Sequence, residues 1–304
     1  MTDKPDSKPG DPSHPVDPHL GDGTASDWAD EESSVDVEGD EGQSPLPHLW
    51  GDVWVAASFL TRLPIPRTLV PPAYHDGARA MPALSTAARA FPLVGLLVGI
   101  PGAVVLAVAS SLGVHPLGAA LAGLGVCALI SGALHEDGLA DVADGFGGGT
   151  TTDEKKAIMA DSRIGTFGVL ALVLSVGLRA GLLMSFLSPS DAAFALLGAM
   201  VMGRAMLPGV MYGFDPARED GLGHGAGRPT AENAALAAGL GILFGFLFFG
   251  FWGALFAGAG AGVAAYGVGV LARRQIGGIS GDVLGAAEQA AESAALFLVV
   301  AVYA

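Results

Sequence analysis

Acidic side chains at regular spacing mark one segment of the sequence, from His135 to Gly149. Asp137, Asp141 and Asp144 stand at positions i, i+4 and i+7, so a helix through the segment would place the three carboxylates on one face. Like charges at that spacing repel, and a cation or protons must neutralise them. Mg²⁺ suits such a set, because it takes a few carboxylates and leaves its other positions to water and phosphate. The spacing therefore indicates a magnesium site that would bind a pyrophosphate and stabilise charge as it is displaced.

A run of glycines follows these acids directly, at Gly145 and at Gly147, Gly148 and Gly149. Glycine lets the backbone approach a bulky or phosphorylated ligand closely. The alternative is a solvated loop that only caps a membrane helix. Ligand binding is favoured, because loops seldom combine carboxylates on one face with a glycine run.

Three further polar segments carry candidate site residues. In the first, residues 161–168, Arg163 would hold a phosphate bidentately. Asp161 would either add a metal ligand or orient Arg163. The alternative is a simple juxtamembrane salt bridge between the two. The second, residues 215–225, mixes a base, acids and glycines, and fits a solvated turn as well as a substrate loop. In the third, Asp282 adds a carboxylate ahead of Glu288 and Glu292, which are at helical spacing.

The chain that must position these residues is apolar. Hydrophobic residues make up 51% and charged residues 15% of the 304 positions, whereas a soluble globular domain carries about 25% charged residues. The composition therefore predicts a membrane protein. The single cysteine excludes an internal disulfide and a multi-cysteine metal site, and the sequence has no basic stripe of the kind that binds nucleic acid.

Most of the acidity lies in residues 1–48, which hold 13 acids and 2 bases, against 17 acids and 13 bases in residues 49–304. The first segment has almost no large aliphatic residues, so it is predicted to be a disordered acidic tail. Either it regulates or tethers the protein, or it is only a solvated extension. Residues 49–304 are predicted to form a membrane-embedded catalytic domain.

Seven apolar stretches approach the roughly 20 residues needed to cross about 30 Å of hydrocarbon. A shorter stretch, Trp50–Leu63, would either span or form an interfacial or re-entrant helix. The predicted fold is an all-α polytopic helix bundle in the lipid bilayer, with about seven spans. These stretches are 90–112, 116–134, 167–187, 191–213, 234–253, 254–271 and 286–303.

Bases alternate between the connections and predict the topology. The connections near 113–115, 188–190 and 253–254 carry no Lys or Arg, so the four basic connections should face the cytoplasm, together with the candidate site residues. Arg179 and Arg204 lie inside spans, where they would attract a phosphate-bearing ligand or pair with carbonyls and buried acids. The four basic connections contain Arg67, Arg79 and Arg89; Lys155, Lys156 and Arg163; Arg218 and Arg228; and Arg273 and Arg274.

Two classes of membrane protein fit these residues. Carboxylates, arginines and glycines at the cytoplasmic ends favour metal-dependent transfer of a phosphorus-linked group. The sequence contains no P-loop, which argues against hydrolysis of a nucleoside triphosphate. A cation-coupled transporter is the alternative, but it would favour carboxylates at the bilayer midplane.

Several motifs follow one another in order along residues 50–304. They are Asp137-Gly-Leu-Ala-Asp141-x-x-Asp144-Gly and the segments 61–64, 91–95, 161–168, 217–223 and 281–285. Together they resemble the cobalamin (5′-phosphate) synthase family, also called adenosylcobinamide-GDP ribazoletransferase. The resemblance implies a polytopic enzyme of the bacterial cytoplasmic membrane that usually requires magnesium. Such an enzyme joins adenosylcobinamide-GDP to α-ribazole or its 5′-phosphate, giving adenosylcobalamin or its 5′-phosphate and GMP.

With this resemblance, the candidate residues receive roles. The sequence leaves open whether the protein forms a homo-oligomer or associates with other enzymes of the corrinoid pathway. Arg163 and Arg218 would neutralise diphosphate oxygens, and His135 or a carboxylate would act as general base. The predicted metal ligands are Asp137, Asp141, Asp144 and Asp161; the predicted catalytic residues are His135, Asp137, Asp141, Asp144 and Arg163; the predicted substrate-binding residues are Gly145, Gly147, Gly148, Arg218, Glu219, Gly221 and Asp282.

Overall fold

The computed structural model describes residues 46–70, 80–217 and 227–303, and in these ranges the regular elements are helices. The predicted all-α class is confirmed. Of the predicted tail, residues 46–48 begin the first helix, and the rest lies outside the described residues. The helices are α1 (Leu46–Leu60), α2 (Ala80–Ala87), α3 (Phe91–Ser111), α4 (Pro116–Ser131), α5 (Leu134–Gly148), α6 (Thr152–Met159), α7 (Thr166–Leu183), α8 (Pro189–Gly213), α9 (Ala231–Ile276) and α10 (Gly281–Tyr303).

By length and apolar composition, five helical stretches of the described chain could each cross a membrane, and the bent pair α4–α5 would make a sixth. The polytopic prediction is therefore confirmed. α8 is the central helix, since most of its side chains are buried, whereas α7 is largely exposed on its outer face. The five stretches are Leu84–Ser111, Thr166–Leu183, Pro189–Gly213, Ala231–Ile276 and Gly281–Tyr303.

The 46 residues of α9 form two antiparallel segments rather than one rod. Gly250 has a φ of 64° and a ψ of −173°, which breaks the helix. A Cβ built on Gly245 would lie 3.3 Å from the Cβ of Ala254, although nine residues of continuous helix would separate them by about 13.5 Å. The chain therefore reverses at Gly250, a few residues before the boundary predicted between 253 and 254.

The acidic segment forms the predicted helix, α5, and a tight turn redirects it by 91° from α4. Gly132 and Ala133 adopt left-handed conformations in succession, with φ values of 68° and 56°. Such a conformation is unusual for a residue with a Cβ. The amide of Arg62 donates a hydrogen bond of 2.8 Å to the carbonyl of Ile130, which ties the preceding loop to this turn.

The short apolar stretch near residue 50 forms α1, whose 15 residues fall short of the roughly 20 that a crossing needs. Its length favours the interfacial or re-entrant alternative. Asp52 on α1 is buried and accepts a 2.6 Å hydrogen bond from Arg89, which precedes α3. This ion pair fastens α1 to the bundle.

Candidate active site

Helix α5 and the beginning of α10 are in close backbone contact. A Cβ on Gly138 would lie 2.7 Å from the carbonyl oxygen of Asp282, and one on Gly285 would lie 3.2 Å from the Cα of His135. Glycine at these two positions is therefore what allows the helices to approach. The contact places Asp282 beside the face of α5 that carries Asp137, Asp141 and Asp144, here called the acidic face.

Four carboxylates gather at this contact, and they influence one another. α5 carries four acids in 15 residues and turns away from α4, so we place it at the membrane boundary rather than across it. Burial raises the pKa of the Asp141 carboxyl to about 7, and the negative charge of Asp137 contributes next. Asp282 and Asp144 raise it further. The site thus has an excess of negative charge.

Asp144 is engaged with the beginning of α7. Its carboxylate accepts hydrogen bonds of 2.6 Å from the amide of Gly165 and 2.8 Å from the amide of Gly168. A Cβ on either glycine would overlap this carboxylate. Asp144 therefore caps α7, where a negative charge at a helix N-terminus is stabilising. Its predicted metal and catalytic roles stay predictions.

Asp161 and Arg163 pair with each other at the surface. Arg163 donates 2.7 Å and 3.1 Å hydrogen bonds from its guanidinium to the Asp161 carboxylate, and these bonds hold the pKa of Asp161 below its usual value. The guanidinium of Arg163 is largely exposed. This geometry argues against Asp161 as a free metal ligand, and it fits both remaining alternatives: Asp161 orients Arg163, or the two form a simple salt bridge.

The glycine run packs α5 against its neighbours. A Cβ on Gly145 would overlap the side chain of Met159, and one on Gly147 would lie 2.7 Å from the ring of Phe167. Gly148 faces Ile158 more loosely. The first two glycines thus explain the close packing of α6 and α7 on α5, while substrate contacts at 145, 147 and 148 stay predictions.

The residues that directly precede Arg218 lie close to the acidic face. The amide of Ile279 donates to the carbonyl of Asp215 at 2.9 Å, and the amide of Ala217 donates back to Ile279 at 2.8 Å. Lys156 on α6 donates to the carbonyl of Ala217 at 2.7 Å. Ala217 therefore lies near the start of α10. The predicted residues Arg218, Glu219 and Gly221 lie outside the described residues.

The interior beneath the acidic face contains a network of charged side chains, which confirms the alternative that Arg179 and Arg204 pair with buried acids; the sequence did not predict which acids. Arg179 and Arg204 are buried and pair with Glu288 and Glu292 of α10. His135 lies within this network, 3% exposed, with its Nδ1 3.4 Å from a Glu288 oxygen. The sequence signal that could have identified these partners is the helical spacing of Glu288 and Glu292 in an apolar helix, because acids inside a membrane need charged or polar partners.

The donor set of the acidic face suits a hard divalent cation. Among the described residues, neither Asp137 nor Asp141 forms an ion pair with a Lys or Arg. Within the same ranges, no group of three or more His, Cys, Asp or Glu side chains closes around one point as a complete metal site. Mg²⁺ typically uses one or two carboxylates together with substrate phosphates and water.

Comparisons with known proteins agree on one family, and no solved structure matches the chain. Residues 52–301 match the family model described as cobalamin-5-phosphate synthase. An adenosylcobinamide-GDP ribazoletransferase of Bradyrhizobium diazoefficiens is 44% identical over 86% of this chain and 97% of its own length. Proteins of the same name from Azorhizobium caulinodans and Rhizobium meliloti are 42% and 38% identical, covering 81% and 83% of this chain and 93% and 96% of their own lengths. The chain belongs to the cobalamin-5-phosphate synthase family.

Proposed function

We propose that this protein transfers the adenosylcobinamide-phosphate moiety of adenosylcobinamide-GDP to α-ribazole or its 5′-phosphate. The products are adenosylcobalamin or its 5′-phosphate, and GMP. The observation that carries the proposal is the match of nearly the whole membrane domain to ribazoletransferases. The carboxylates at the contact of α5 and α10 lie within the matched residues.

In this reaction, a ribose hydroxyl of α-ribazole attacks the phosphorus attached to the aminopropanol arm of the corrinoid. An oxygen–phosphorus bond forms there, and the bond from that phosphorus to the oxygen of GMP breaks. The hydroxyl proton passes to a base on the enzyme. Asp137 is exposed, whereas His135 is buried against Glu288, so of these alternatives we assign the base to a carboxylate at the contact of α5 and α10.

We further propose that Asp137 and Asp141 hold Mg²⁺, with Asp282 beside them. When bound, the cation supplies positive charge to the diphosphate and to the developing charge on the leaving group. Asp144 and Asp161 are weaker candidates than the sequence suggests, because the first caps α7 and the second pairs with Arg163. The exposed Arg163 would contact phosphate oxygens.

The membrane interior offers little support for the alternative of a cation-coupled transporter. Its buried acids Glu288 and Glu292 already pair with Arg204 and Arg179. We also propose that the acidic face lies on the cytoplasmic side of a bacterial plasma membrane, because two base-rich connections meet beside it: Lys155 contacts Gln275, which directly follows Arg273 and Arg274. A cysteine introduced at Asp153, in a Cys127→Ala background, should react with impermeant reagents only from the cytoplasmic side.

The deciding experiment measures turnover of adenosylcobinamide-GDP and α-ribazole by the purified protein in liposomes, with Mg²⁺ and then with EDTA. The proposal predicts release of GMP together with a cobalamin product, and its loss on chelation. Folded protein that yields no product under either condition would exclude this function and return attention to ion flux. Product formation that persists in EDTA would exclude only the metal assignment.

A further inference from the structure

Two arginines and two glutamates lie buried together inside the helix bundle. Arg179 and Arg204 are each 2% exposed, and Glu288 and Glu292 are fully covered. Charges in such surroundings have no water to solvate them, so their arrangement depends on the partners that the protein provides. The four residues come from three helices, α7, α8 and α10, and their contacts extend to a fourth, α5.

Arg179 connects α10 to α5. Its guanidinium donates a 2.7 Å hydrogen bond to Glu292 and a longer one of 3.4 Å to Glu136. Glu136 also accepts a hydrogen bond from Gln289, whose own amide oxygen accepts one from Ser175. Glu136 directly precedes Asp137, so the bridge ends one residue from the acidic face.

Arg204 forms the second connection. One of its nitrogens donates to Glu288 at 2.6 Å and to Glu292 at 3.1 Å. Its other terminal nitrogen lies 3.4 Å from Nδ1 of His135 at the beginning of α5. Both arginines thus contact α10 on one side and the first turn of α5 on the other.

The packing between α5 and α10 sets how closely the two helices approach, but it does little to fix how far one is shifted along the other. Small side chains slide past one another with little change in contact, whereas paired charges that cannot reach water have few satisfied arrangements. Fixing register is the best attested use of buried polar groups. The buried positions at the beginning of α10 are mostly small: Gly285, Ala286, Ala287 and Ala291.

We propose that Arg179 and Arg204 are positioning residues: they hold α5 in the register that places Asp137 and Asp141 beside Asp282. The positioning is a property of the fold, and its catalytic consequence rests on the transfer reaction proposed above. Neither arginine touches the acidic face itself. Their effect on the reaction passes through the first turn of α5.

Two substitutions test the bridge at Arg179. Arg179→Lys keeps the positive charge but replaces the planar guanidinium with a single ammonium. The two nitrogens that reach Glu292 and Glu136 separately are then lost. Glu136→Gln weakens only the α5 end and leaves Arg179 paired with Glu292, so it keeps the test open if the lysine variant does not fold. Asp52→Asn is the matched control, because the buried ion pair that it breaks joins α1 to Arg89, just before α3.

The measurement is amide hydrogen exchange of residues 134–148 in the full-length protein in nanodiscs, followed by kinetics. We expect exchange in α5 to rise about tenfold in Arg179→Lys and about threefold in Glu136→Gln. The turnover number should fall about 10-fold to 100-fold, because small displacements of catalytic groups cause losses of this size. The KM for adenosylcobinamide-GDP should stay nearly unchanged. Asp52→Asn should leave exchange in α5 at the wild-type rate.

Wild-type exchange in α5 in both variants would overturn the inference, whatever their turnover. An equal rise in Asp52→Asn would also overturn it, since the loosening would then be general. If the wild-type protein shows no turnover but α5 loosens only in the two bridge variants, the proposed transfer reaction fails and the positioning role stands.

Discussion

Helices α5 and α10 each carry acids of two kinds. Asp137 and Asp141 on α5 gather with Asp282 of α10 near the loops, where burial, and after it the neighbouring negative charges, raise the pKa of Asp141. Glu136 and Glu292 of the same two helices lie deeper and accept hydrogen bonds from Arg179. Neighbours in sequence fall into different groups, because successive residues of a helix point about 100° apart.

The difference between the two groups is in how their charge is neutralised. The protein supplies arginines to the deeper acids, and that pairing joins four helices. It supplies no Lys or Arg to Asp137 or Asp141 among the described residues. Acids that the fold neutralises hold structure, and acids that it leaves to repel each other are suited to a bound cation and its phosphate ligand.

The largest effect should come from the acidic face. Asp141→Asn removes a charge from the proposed metal site, and we expect turnover to fall about 10³-fold or more, which is roughly 4 kcal/mol of transition-state stabilisation. The free energy of unfolding should not fall, because the repulsion among the carboxylates is relieved. GMP release and SDS-unfolding titrations measure both quantities. Asp153→Asn, on the exposed surface of α6, is the matched control, and full activity in Asp141→Asn would refute the assignment.

A deeper substitution should show the opposite pattern. Arg204→Met leaves Glu288 buried without its closest cation, and we expect the free energy of unfolding to fall by about 3 kcal/mol. Adding Glu288→Gln removes that uncompensated charge and should recover part of the loss. SDS-unfolding titrations of the single and double variants measure this coupling. A double variant that is no more stable than Arg204→Met would show that the pair does not act as a unit.

The sequence predicted local features of the site better than distant ones. Spacing alone identified α5 and its three aspartates, and the alternation of bases put the polar loops at one end. Partners far apart in the chain left no such trace: 113 residues separate Arg179 from Glu292, and 84 separate Arg204 from Glu288. The reversal at Gly250 was placed a few residues too late, because the stretch is uniformly apolar and a single glycine among many marks the turn.

A backbone substitution tests how closely the two groups are linked. In Gly138→Ala, the new Cβ would lie 2.7 Å from the carbonyl oxygen of Asp282, so α5 must move away from α10. We expect turnover to fall about 30-fold, or roughly 2 kcal/mol, through displaced carboxylates. Gly177→Ala on α7 faces open space and should retain full turnover. Equal activity of both variants would mean that the close contact does not position the site.

The smallest effect should come from Asp144, which has features of both groups. It influences Asp141, yet both its oxygens accept amide hydrogen bonds from the beginning of α7. Asn at this position keeps one acceptor and turns an NH₂ toward the other amide, so the free energy of unfolding should fall by about 1 kcal/mol. Because we assign the cation to Asp137 and Asp141, Mg²⁺ should stabilise both the wild-type protein and Asp144→Asn in SDS-unfolding titrations, and it should not stabilise Asp141→Asn. If Asp144→Asn loses that response as Asp141→Asn should, Asp144 is a metal ligand that also caps α7. It would then belong to the same group as Asp137 and Asp141.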